Sequence, residues 1–233
     1  MRSIIATLFA VMFLVSASFA DDDKAEDRED AIERLAEATT VLNEVAGMSE
    51  GPPYSLLEDA AGVVVVPGLI KAGLGIGGKH GSGLLSIKNK DGSWSEPVFV
   101  KMTGGSVGFQ IGASSTDLVL LFMREKSIRE VLNGEFTLGG NASVAAGPVG
   151  RTGSADTSVK LDAEIYSYSR SKGAFAGISL DGSQLYMDDS ENAALYGEAA
   201  TPSSIVSKAG ATDSPTAAFR NALAAMTKPR EKK

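Results

Sequence analysis

Cysteine is missing from this 233-residue chain, and histidine occurs once, at His80. Without cysteine there is no disulfide framework, no lipid-attachment cysteine behind a leader and no thiol nucleophile. With one histidine, zinc sites built from cysteine and histidine are excluded, and a serine–histidine–acid triad has a single residue to draw on. Basic charge is outweighed by acid: 22 Lys and Arg stand against 29 Asp and Glu, a formal net charge of −7. A chain of that sign lacks the electrostatic footprint of a nucleic-acid binder, so no nucleic-acid partner is expected. Long apolar runs are also lacking. The uncharged stretch at residues 4–15 is shorter than the ~20 residues that cross a bilayer.

That stretch fits a leader. Arg2 precedes it, Ser18-Phe19-Ala20 places small residues where a signal peptidase reads, and Asp21-Asp22-Asp23 follows at once. Residues 1–20 are expected to be a cleaved signal peptide, which makes the protein exported and periplasmic, peripheral to a membrane. Residues 21–227 then read as one domain, with a charged, frayed tail at 228–233. The apolar fraction, 43 %, is sufficient for one well-buried core.

Residues 25–47 carry Ile32, Leu35, Leu42 and Val45 at helical spacing. Their other faces are largely acidic, so the helix is expected to pack on the domain; a membrane-surface helix would carry Lys and Arg there. A β-rich core is expected over residues 61–188. Short strands are read at 63–66, 84–88, 94–102, 106–112 and 117–123, the last a continuous apolar run buried on both faces. Asp91-Gly92 and Asp181-Gly182 are two hairpin turns, since Asp-Gly supplies the positive φ such turns need. A short helix is read at 124–134. In the stretch 159–170, Val159, Leu161, Ala163 and Ile165 form a core face, with Tyr166, Tyr168 and Arg170 on the polar one. After Asp188 the pattern is helical, with Thr201-Pro202 opening one segment and Asp213-Ser214-Pro215 another, capped by Asp213 or Ser214. The fold class is α+β: about eight to ten antiparallel strands in a strongly curved sheet or barrel-like core, bracketed by N- and C-terminal helices.

The glycines produce catalytic look-alikes. Gly73-Leu74-Gly75-Ile76-Gly77-Gly78 matches a dinucleotide pattern, but Lys79-His80-Gly81-Ser82-Gly83 cannot start the helix whose amides hold a pyrophosphate. Gly104-Gly105-Ser106-Val107-Gly108 matches a nucleophile elbow, yet His80 precedes Ser106 in the chain and a strand pattern follows it. A serine–lysine pair using Lys101 or Lys79 is the remaining catalytic arrangement. Asp21-Asp22-Asp23 and Asp188-Asp189 lack the spacing and glycine turn of a calcium loop and read as solvated surface. His80 reads as a turn residue. No enzyme activity, metal or cofactor is expected.

Several ordered blocks together resemble the SYLF domain family. They are Ala61-Gly62-Val63-Val64-Val65-Val66-Pro67 with Lys71-Ala72-Gly73; the run from Gly77-Gly78 to Gly83; Trp94-Ser95-Glu96-Pro97-Val98-Phe99; Gly105-Ser106-Val107-Gly108-Phe109-Gln110-Ile111-Gly112; Ala146-Gly147-Pro148-Val149-Gly150-Arg151; and Tyr166-Ser167-Tyr168-Ser169-Arg170-Ser171-Lys172-Gly173 with Phe175-Ala176-Gly177. The resemblance implies a non-enzymatic module. Eukaryotic SYLF proteins bind phosphoinositides and other anionic lipids, and some regulate actin; exported bacterial members look like envelope proteins. It makes anionic membrane lipids the expected partner, with an envelope protein as the alternative. The candidate headgroup-binding residues are the cations of these blocks: Lys71, Lys79, Arg151, Arg170 and Lys172. Arg offers phosphate a forked donor and Lys a mobile point charge. Alternatively, Arg151 and Arg170 pair with strand carboxylates.

Overall fold

Two long strands carry most of the sheet. The computed structural model describes residues 2–48, 51–134, 136–148, 162–171, 174–175, 178–208 and 210–228. Strand β1 (Gly62–Ile87) and strand β2 (Val98–Phe122) pair antiparallel from Gly62 opposite Phe122 to Leu85 opposite Val98. Five separate strands were expected here. The glycines that suggested strand ends instead let continuous strands bend. The turn between them forms as expected at Asp91-Gly92: Gly92 has φ 84°, and the Asp91 carboxylate accepts from the Ser93 amide and hydroxyl at 2.9 and 2.6 Å. Those bonds lower the Asp91 pKa.

β1 doubles back on itself. A Cβ on Gly83 would stand 2.2 Å from the Val65 carbonyl oxygen, and one on Gly81 2.8 Å from Val66 Cγ1. The two ends of the strand are joined by a bond from the Lys88 amide to the Ala61 carbonyl, 2.9 Å. This self-contact gives the sheet its strong curl.

The other strands are short: β3 (Phe136–Thr137), β4 (Val144–Ala146), β5 (Ile165–Ser171), β6 (Ala174–Phe175) and β7 (Gln184–Met187). The described residues form a seven-stranded sheet in the order β3-β7-β2-β5-β4, with β1 on β2 and β6 on β5. Pairing is antiparallel except for β4 with β5. Asp181-Gly182 does make a turn, Gly182 having φ 74°, but β7 leaves it to pair with β2 and β3, and among the described residues it forms no hairpin with the segment before it.

Helices flank the sheet: α1 (Arg2–Gly47), α2 (Tyr54–Asp59), α3 (Glu125–Leu132), α4 (Asp189–Tyr196), α5 (Pro202–Val206) and α6 (Ala217–Met226). Thr201 caps α5 in a capping box with Ser204. Thr216 occupies the N-cap position of α6, one turn later than Asp213 or Ser214, and Ser214 bonds instead to the Ala211 carbonyl.

Alternation along the strands sorts the core into two layers. Val63, Val65, Phe99, Val119 and Leu121 pack with α1, α2 and α6, whereas Val64, Val66, Val100, Leu118, Leu120 and Phe122 pack with α3, β3 and α5. Residues 118–122 are therefore buried on both faces, as expected. The buried stripe of α1 is Ala31, Leu35, Ala38, Val41, Leu42 and Val45; Ile32, expected on it, is exposed. Tyr166 and Tyr168, expected on a polar face, are buried in the layer that also holds the apolar residues of α1, α2 and α6. Val159 and Leu161 lie outside the described residues, as does the tail from residue 229.

The Gly83→Ala variant should lose about 1–3 kcal/mol, because its methyl meets backbone that cannot yield. Gly105→Ala, where nothing lies within 4 Å, should change stability by no more than about 0.5 kcal/mol. Urea midpoints at constant m check both.

Candidate functional site

Between its packed ends, the β1–β2 pair forms a two-stranded ribbon, residues 69–80 against 103–116. β7 pairs with β2 at 100–103 and β5 at 117–122, and no third strand pairs with residues 104–116 among the described residues. Here the hydrophobic alternation has no second layer to enter. Ile70 is 54 % exposed, Leu74 75 % and Ile76 82 %.

Both glycine look-alikes fall on this ribbon. The Gly73 to Gly78 pattern lies inside β1 and Ser106 inside β2, so neither stands at the strand-to-helix junction its chemistry requires. His80 is exposed and lies opposite Thr103 within the strand pair, where a turn was expected. Among the described residues no three His, Asp or Glu side chains converge as a metal site.

Of the five expected headgroup cations, Lys71 and Lys79 share the ribbon. Lys71 is half-buried. Lys79 is 5 % exposed, and its ammonium donates to the Ser179 carbonyl at 2.6 Å. Burial, and then the Lys71 charge, lower its pKa against the opposing pull of Asp181. Arg170 sits on β5 at the ribbon's base. Its guanidinium donates to Asp117 Oδ2 of β2 at 2.6 Å and to Glu44 of α1, tying the helix to the sheet. Asp117 also accepts the Gly68 amide at 3.0 Å, bracing the register shift where β1 bends. Arg151 and Lys172 lie outside the described residues. The apolar Ile70, Leu74 and Ile76 were missed, although large apolar residues set between glycines were the available signal.

Other motif residues serve the scaffold. Glu96, of the Trp94 to Phe99 block, accepts from Thr216 and lies 3.6 Å from the Arg220 guanidinium, while Tyr196 donates to the Pro97 carbonyl at 2.7 Å. The Asn192 amide bonds both the amide and the carbonyl of Phe99, each at 2.9 Å, as a strand would. Asp188, expected on solvated surface, is buried: it caps α4 and pairs with Lys101 at 2.9 Å. Beside it Glu191 is 6 % exposed, with Oε2 lacking a partner. Burial, reinforced by Asp188 and Asp30 against the pull of Arg34 and Lys101, pushes Glu191 up to about 7.

A family model described as "Ysc84: Las17-binding protein actin regulator" matches residues 103–226. The chain belongs to this family. It is the SYLF family that the sequence blocks resemble. Protein YSC84 of Saccharomyces cerevisiae is 36 % identical over 168 residues, covering 71 % of this chain and 36 % of that protein. LAS seventeen-binding protein 3 of the same species matches to the same extent. SH3 domain-containing YSC84-like protein 1 of Xenopus laevis is 36 % identical over 176 residues, 75 % of this chain and 52 % of that protein. The chain thus spans between a third and a half of the length of these relatives. None of these descriptions is that of an enzyme.

Replacing Arg170 with Ala should cost about 1.5–3 kcal/mol, since Asp117 and Glu44 lose a charged donor. Glu191 has its folded pKa raised, so its penalty is complete above about pH 7 and fades as pH falls towards the ordinary 4.5. Glu191→Gln should therefore gain roughly 3 kcal/mol at pH 8 and almost nothing near pH 4.5. Urea melts at the two pH values check this.

Proposed function

We propose that this chain is a non-enzymatic lipid-binding module, exported by a cleaved signal peptide, that associates with an anionic membrane surface of the cell envelope from the periplasmic side. One observation carries the reading. The ribbon, residues 69–80 and 103–116, contains Lys71, Lys79 and His80 and no Asp or Glu, in a chain whose net charge is −7. That is the sign of surface an anionic bilayer attracts. Of the described candidate cations, Lys79 is buried and Arg170 is engaged by two carboxylates, which supports Lys71 as a headgroup contact. The described apolar stripe of α1, Ala31 to Val45, packs in the core, whereas the ribbon's large apolar side chains are exposed. Among the described residues no helix is long and apolar enough to cross a membrane.

A second reading, supported by the family's description as a Las17-binding actin regulator, is a protein-interaction module. The two separate in one assay. The purified protein should float with phosphatidylglycerol-containing vesicles at low salt and much less with neutral phosphatidylcholine vesicles or at about 1 M salt, where the screening length is about 3 Å. Lys71→Ala should weaken flotation a few-fold. Absence of flotation, with co-sedimentation on actin filaments, would favour the second reading.

A further inference from the structure

The crest of the ribbon has a shape that the fold itself does not use. Gly73 and Gly77 meet backbone to backbone: a Cβ on Gly73 would lie 2.5 Å from Gly77 Cα, and one on Gly77 2.1 Å from the Ala72 carbonyl oxygen. β1 is pinched shut there, so that residues 74–76 project. Opposite, pairing passes from Leu74–Ile111 to Ile76–Val107, leaving residues 108–110 of β2 bulged at the same level. The side chains on the β1 projection, Leu74 and Ile76, are the most exposed large apolar residues among those described.

We propose that this crest is a membrane wedge, with Leu74 and Ile76 entering the acyl-chain boundary of an anionic bilayer while Lys71 remains among the headgroups. The inference rests on the lipid-binding reading above and adds the element and the mode of attachment. Charge selects the occupant. A second copy of this chain would set Lys71 of one ribbon against Lys71 of the other with no carboxylate on either to compensate, whereas an anionic bilayer supplies the missing sign. Because the glycine contact shapes the projection before any encounter, the two side chains enter without a loop having to be ordered. An interfacial site that combines apolar burial with basic anchoring is the usual physical solution for reversible attachment.

The lack of cysteine makes the test direct. Leu74→Cys carrying an environment-sensitive fluorophore should blue-shift on phosphatidylglycerol vesicles and be quenched by nitroxides on the acyl chains. The same label at Ser93→Cys, on the β1–β2 turn, should do neither. The Leu74→Ser/Ile76→Ser double variant should partition onto vesicles at least about ten-fold less, given the apolar area withdrawn, with an unchanged circular dichroism spectrum and urea midpoint. If the wild type floats while the label at residue 74 stays unshifted, or the double variant floats equally well, the wedge is wrong and the lipid reading survives. Failure of the wild type to float overturns both. A wild-type dimer that the double variant loses, without vesicle binding, would assign the crest to a second copy and overturn the wedge.

Discussion

β1 lies against its own backbone, and the remaining architecture follows from that contact. Val65 and Gly83, with Gly81 beside Val66 and Leu69, approach too closely for side chains on the second half of the strand. Strands in a sheet normally leave a side-chain layer between faces that pack. Removing that layer lets one strand coil tightly, and β2, paired with it from end to end apart from its bulges, coils with it. Side-chain alternation gives the pair two faces, and each builds a core of its own with its own helices. The middle of the pair is left outside both.

Polar side chains then fasten the helices to specific strands. Arg170 holds α1 through Glu44, Asn192 holds α4 through the Phe99 backbone, and Glu96 receives Thr216 and Arg220 from the C-terminal segment. In each case a buried or half-buried group finds a partner, which is the condition for placing polarity inside a core. The seam between α1 and α4 departs from that condition. Glu191 carries an unpartnered oxygen there beside Asp188, and the raised pKa records the electrostatic cost.

Local signals were the legible ones. Asp91-Gly92 announced its turn because only a few residues tolerate the required φ, and Leu118 to Phe122 announced a doubly covered strand because no polar residue interrupts it. Glycine was ambiguous: it suits a strand that ends and a strand that bends, and the difference lies in what the backbone touches. Tyr166 and Tyr168 were misplaced because alternation assigns faces without saying which of them a helix will cover. Arg170 was legible as a signature cation, but its partners Glu44 and Asp117 lie 126 and 53 residues away. Of the proposed cations, the structure brings Lys71 and Lys79 onto one element. The apolar crest beside them went unread because hydrophobic residues in a strand are ordinarily assigned to a core.

The turn at residues 89–93 has a consequence for how the chain reaches this shape. It is the one place where β1 and β2 are adjacent in sequence, and every later pair, out to Gly62 with Phe122, is counted from it. A hairpin of this length can zip outward from its turn, each rung closing a small loop once the previous rung is made. The bond between Lys88 and Ala61 breaks that economy. It joins the beginning of β1 to its end, and so waits until the strand has gone around. A slip of one residue at the turn would reverse both faces along the whole pair. The register set at this turn therefore decides which residues reach each of the two cores.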